Sequence, residues 1–166
     1  MRSAFCPNAP TGGAFELRIS RATIAAPGLF SAFPGADRTI TPVEGTGLAL
    51  KFHDRTVHLA PLTPYRFDSG LTPDGQPDGG GVRIWSVMAT RRVWRMGAAQ
   101  VLTEPTPLAA GPGDLLCLFA AKGDGRVRGG DRTLTLAEGD SLVSSAALGL
   151  APMDRGAVII VPLSHA

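Results

Sequence analysis

Apolar and polar positions alternate with a period of two along much of the chain, and that period predicts strands. Phe15-Glu16-Leu17-Arg18-Ile19-Ser20 reads as a half-buried strand. Gly47–Phe52 and Thr56–Leu59 flank His53-Asp54-Arg55 and read as a hairpin. The pattern predicts further strands at Val82–Met88, Val93–Arg95, Asp114–Ala121, Thr133–Leu136, Ser141–Ser144 and Ala157–Leu163. Ser69–Gly81 holds five glycines, two prolines and two aspartates without periodicity, and reads as an exposed excursion. Helical spacing is poor throughout, and Phe30–Pro34 offers a single helical turn at most. The expectation is an all-β protein.

The strand pattern repeats. Glu44-Gly45-Thr46-Gly47 is echoed 78 residues later by Lys122-Gly123-Asp124-Gly125, and Asp54-Arg55-Thr56-Val57-His58-Leu59 is echoed 77 residues later by Asp131-Arg132-Thr133-Leu134-Thr135-Leu136. A β-hairpin unit of that length occurring twice predicts a barrel or sandwich made by duplication. The halves fall at about 15–98 and 99–166 of a single 1–166 domain, with 1–14 left as an undefined N-terminal segment. Gly 21 and Pro 14 among 166 residues supply the turns that so many short strands need.

Sixteen Lys+Arg against fourteen Asp+Glu leave +2, too balanced for a nucleic-acid footprint. All of the basic residues but Lys51 and Lys122 are Arg, the better side chain for bidentate carboxylate recognition. Cys6 and Cys117 make neither a disulfide framework nor a thiolate metal site. No apolar run reaches membrane-span length and no signal-peptide pattern opens the chain, so the expected setting is cytoplasmic. Only His53, His58 and His165 are available as imidazole ligands, and they share no metal-site spacing. Neither a metal nor a cofactor is expected.

Specific residues carry more than the pattern. Arg18-Ile19-Ser20-Arg21-Ala22-Thr23-Ile24, then Gly28-Leu29-Phe30-Ser31-Ala32-Phe33-Pro34-Gly35-Ala36-Asp37-Arg38, Glu44-Gly45-Thr46-Gly47, Tyr65-Arg66-Phe67-Asp68 and Val87-Met88-Ala89-Thr90-Arg91-Arg92 together resemble the HutD/Ves family from about Phe15 to Leu163. The resemblance implies a cupin-like double-stranded β-helix (an RmlC-like jelly roll) of two halves. It also implies an association with histidine utilisation and the binding of a small acidic intermediate such as N-formylglutamate or urocanate, with no established reaction. Two stretches depart from the family pattern. The Trp-x-Asn-Gly-Gly-Gly segment that usually opens members is not matched by Met1-Arg2-Ser3-Ala4-Phe5-Cys6-Pro7, and Ile84-Trp85-Ser86 stands where a carboxylate and an amide are usual.

By motif match, the family's ligand-facing arginine falls on Arg38, where a guanidinium at a barrel mouth can hold a carboxylate through two parallel hydrogen bonds. Ser31 could donate a hydroxyl to the same ligand and Phe33 could wall it, although a plain turn would also use both. Asp37 is either an ion-pair partner of Arg38 or a candidate base. Ser86 and Met88 share a face with Ile84, opposite Trp85 and Val87. Arg92 joins the face of Met88 if the strand runs on unbroken. The resulting expectation is a non-enzymatic binder of a small acidic metabolite. A metal-free enzyme using a carboxylate such as Asp37, and an interaction module with a vestigial pocket, stand as alternatives. A missing N-terminal strand would leave an open barrel edge, which favours a homodimer.

Overall fold

The computed structural model describes residues 15–166. Cys6 and the N-terminal departure from the family pattern lie outside the described residues. The first half carries β1 (Leu17–Ile24), β2 (Gly28–Leu29), β3 (Ala36–Glu44), β4 (Leu48–Lys51), β5 (Thr56–Leu59), β6 (Tyr65–Asp68), β7 (Asp74–Pro77) and β8 (Val82–Thr90). The second carries β9 (Trp94–Met96), β10 (Gln100–Leu102), β11 (Thr106–Leu108), β12 (Leu115–Lys122), β13 (Gly125–Gly129), β14 (Arg132–Leu136), β15 (Ser141–Ser144), β16 (Leu148–Pro152) and β17 (Ala157–His165). No helix is found among the described residues.

The duplication is legible strand by strand. Sheet order β1-β8-β3-β6 in the first half matches β10-β17-β12-β15 in the second, and β2-β7-β4-β5 matches β11-β16-β13-β14. Each half is therefore a two-sheet sandwich. The echoed glycines explain themselves. Both long strands slip register just before them, between Pro42 and Glu44 and between Ala120 and Lys122. Gly45 (φ 103°) and Gly123 (φ 61°) then take left-handed conformations that turn the chain from one sheet into the other.

Three apolar cores fill the molecule. Ile40, Leu48, Leu50, Phe67, Val82 and Ile84 fill the first sandwich. Leu116, Leu118, Val127, Leu150, Val158 and Ile160 fill the second. The opposite faces of the two long-stranded sheets meet in the third, where Trp85 stacks on Phe119 with ring centroids 5.4 Å apart and planes 14° apart. Strand parity therefore points Trp85 and Val87 at the other half and Ile84, Ser86 and Met88 into their own sandwich.

Two expectations are corrected. Ser69–Gly81 is not an exposed excursion: its centre is β7, bonded between β2 and β4, with Gly75 buried. Phe30–Pro34 makes no helical turn. It runs extended into a turn at Pro34-Gly35, where the Ala36 amide donates to the Phe33 carbonyl.

Candidate functional site

The residues that face the interior of the first sandwich lie in rows across its long-stranded sheet. Arg18 on β1 pairs in register with Met88 on β8, Met88 with Arg38 on β3, and Arg38 with Phe67 on β6. The next row holds Ser20, Ser86, Ile40 and Tyr65. Where β1 stands apart from β2, the sandwich gapes and leaves a cavity of about 340 Å³. Arg38, Ser86, Ser20, Ile84, Phe30 and Ser31 line it.

Arg38 dominates this cavity. The residue is only 9% exposed, and its Nε and Nη1 have no hydrogen-bond partner among the described residues. The buried Ser86 hydroxyl lacks one too. The guanidinium carbon lies 5.2 Å from the centre of the Phe30 ring and 5.8 Å from that of Phe33, so two aromatic faces hold it by cation–π contact. Burial, and next the charge of Arg18, lower its pKa from the usual guanidinium range to about 10. It therefore stays charged at neutral pH. A buried charge without a counter-ion is costly, and buried polar atoms are ordinarily paired. An anion in the cavity would supply what both groups lack.

The second half provides an internal comparison. Ile40 pairs with Ser86 as Leu118 pairs with Ile160, and Arg38 with Met88 as Leu116 pairs with Pro162. Leu116 and Ile160 thus occupy the places of Arg38 and Ser86, and they pack in an apolar core. The polar cluster belongs to one copy of the repeat.

Of the residues expected from sequence, Arg38, Ser31 and Ser86 come together at the cavity, and Phe33 flanks the guanidinium. Met88 lies fully buried between Arg18 and Arg38 in register, its sulfur 3.6 Å from the Ser69 hydroxyl. Two expectations fail. Asp37 points to the opposite face of β3, where Arg91 bonds it at 3.0 Å and Asp68 at 3.1 Å, so it neither pairs with Arg38 nor serves as a base in the cavity. Arg92 lies beyond the end of β8, exposed in a turn closed by the Val93 amide on the Thr90 carbonyl, so parity with Met88 no longer applies. The three histidines are exposed and lie outside the cavity lining.

Sequence reasoning passed over Phe30, Ser20 and Arg18. The signal lies in the alternation of Phe15–Ser20: Leu17 and Ile19 share the face that packs against the other half, which leaves Arg18 and Ser20 on the face that looks into the sandwich.

A duplicated, two-sheet all-β architecture of this kind is that of the cupins. A cupin 2 conserved barrel domain protein from Leptotrichia buccalis superposes with a TM-score of 0.60 at 9% identity, over 91% of this chain and 85% of that one. HutD from Pseudomonas fluorescens SBW25, in a formate condition, superposes at 0.79 with 22% identity, over 96% of this chain and 85% of that one. A conserved protein of unknown function from Pseudomonas aeruginosa PAO1 follows at 0.72 and 22% identity, over 92% and 84%. Residues 2–159 match the sequence profile of the HutD family, and the chain belongs to that family. The match opens upstream of Phe15, within the segment where the sequence pattern departs from the family's usual opening.

Proposed function

We propose that this protein is a non-enzymatic, cytoplasmic binder of a small carboxylate metabolite, with N-formylglutamate and urocanate as candidate ligands in the setting of histidine utilisation. The observation that carries this reading is the buried Arg38 guanidinium at a ligand-sized cavity, its Nε and Nη1 without a hydrogen-bond partner among the described residues. A carboxylate there would take two parallel hydrogen bonds from Nε and an Nη, in surroundings that strengthen them. Ser86 and Ser31 would bond the ligand's remaining oxygens, and Phe30 and Phe33 would shield the pair from water. The cavity falls within the range of small-molecule sites. Its lining among the described residues carries a guanidinium and hydroxyls but no carboxylate or imidazole, which supports binding rather than acid–base turnover.

Thermal unfolding with N-formylglutamate, urocanate, glutamate and histidine tests the reading. A ligand at a hundred times its dissociation constant adds ~2.7 kcal/mol, roughly 5–11 °C in midpoint for a chain of this size. The expected result is a shift with an acid that disappears in Arg38→Met. Absence of a shift with every acid, or a shift retained in Arg38→Met, would refute the proposal.

A further inference from the structure

We infer that the Arg38 cavity takes an amphiphilic ligand, a monocarboxylate held head inward with an apolar tail toward the mouth, in preference to a diacid. This rests on the carboxylate reading of Arg38 and adds to it the chemistry of the rest of the ligand.

Strand register orders the lining. Arg38 stands in the row of Met88. Ser86 and Ser20, which line the cavity, pair in the next row, Ile84 and Ala22 in the row after it, and Ile24 lies one row beyond. Successive rows are two residues apart, roughly 7 Å at the rise of a strand. Polarity falls along that line. The charge and two hydroxyls come first, and from Ile84 and Ala22 outward the interior-facing positions are apolar. The chain that leads from β1 into β2 closes this end with Ala25, Ala26 and Leu29.

Burial runs the same way. Arg38 and Ser86 are buried, whereas Ala22, Ala25, Ala26 and Leu29 are exposed, Leu29 to 75%. One exposed leucine on a surface needs no explanation. An apolar rim around a cavity with a charge at its depth is a different arrangement, because apolar groups gathered at a concave opening mark a binding surface.

Arg38 is the one charged residue in the lining among the described residues. A single carboxylate neutralises it. A second carboxylate at the far end of the ligand would stand among Ala22, Ala25 and Leu29, giving up water without meeting a cation there. A methylene in that place gains instead, about three- to fourfold in affinity when it leaves water completely. Arg38 in this account decides that an acid binds, and the apolar rim decides which.

The test is titration calorimetry of the full chain with butanoate, hexanoate and adipate, the last having the six carbons of hexanoate with the terminal methyl oxidised to a carboxylate. Wild type is expected to bind hexanoate about tenfold more tightly than butanoate and at least tenfold more tightly than adipate. Ala22→Lys, at an exposed position, sets a cation beside the tail and should bring adipate level with hexanoate or ahead of it. Leu29→Gln should narrow the gap between hexanoate and butanoate to about threefold. Arg38→Met should lose all three acids. Equal binding of hexanoate and butanoate, adipate binding as tightly as hexanoate, or a hexanoate preference untouched by both rim variants would overturn the inference and leave the carboxylate reading standing. The same holds if none of the three binds while an acid of the melting series does. If no acid of either series binds, the carboxylate reading falls, and the inference with it.

Discussion

At the scale of the residue, Arg38 is a charge that the fold holds at a cost. Its pKa of about 10 lies well below the usual guanidinium range, which at roughly 1.4 kcal/mol per pH unit amounts to about 3 kcal/mol against the charged folded state. Arg38→Met keeps much of the volume and removes the charge. It should stabilise the unliganded protein by roughly 2–4 kcal/mol while abolishing the response to acids. The sign with pH follows from where the proton is held. Below pH 10 both states are protonated and the full penalty applies. Above it the folded state releases the proton before the unfolded one, and stability recovers. The gap between variant and wild type, read from chemical denaturation, should therefore be widest near neutrality and narrow above pH 10. A variant less stable than wild type at pH 7 would contradict this account. Arg38 is legible in the sequence only through its motif; that its Nε and Nη1 find no partner among the described residues is not, because pairing depends on what other strands bring to the same row.

At the scale of the element, legibility followed the side-chain period. Half-buried strands such as Thr56–Leu59 and Ser141–Ser144 alternate and announce themselves. The turns that join the two sheets announced themselves through Gly45 and Gly123. Asp74-Gly75-Gln76-Pro77 has no apolar alternation and was invisible, because β7 earns its place by backbone pairing. Its one buried residue, Gly75, is a bare patch on which the Phe30 ring lies: a Cβ there would stand 2.6 Å from Phe30 Cε2. Phe30 in turn holds the Arg38 guanidinium. Gly75→Ala should thus push the ring off its seat, weakening acid binding several-fold at a stability loss of about 1 kcal/mol, as calorimetry and melting would show. Unchanged affinity would mean that the ring moves without carrying Arg38 with it. Arg92 escapes the period for a related reason: its parity with Met88 needs an unbroken strand, and β8 ends at Thr90, where a turn resets the direction.

At the scale of the molecule, the two halves are tied by a shared core in which Trp85 is fully buried against Phe119. Truncating Trp85 to Ala should cost ~3–5 kcal/mol, the range for large buried aromatics. Because Leu17 and Ile19 of one half pack in the same cluster as Cys117, Ile159 and Val161 of the other, the wild type should unfold in one step, with fluorescence and far-UV circular dichroism tracing the same transition. Separate transitions would show that the halves are energetically independent.

The asymmetry between the copies has a further consequence. Leu116 and Ile160 make the second sandwich a filled counterpart of the first, so the pair behaves as a ballast and a working part. Every substitution that makes the cavity more polar spends cohesion that the first sandwich cannot recover by itself, whereas substitutions in the filled copy alter the reserve and leave the chemistry alone. The tolerance of the cavity for polar change is thus set by its apolar sister, through Leu116 and Ile160 at the places of Arg38 and Ser86.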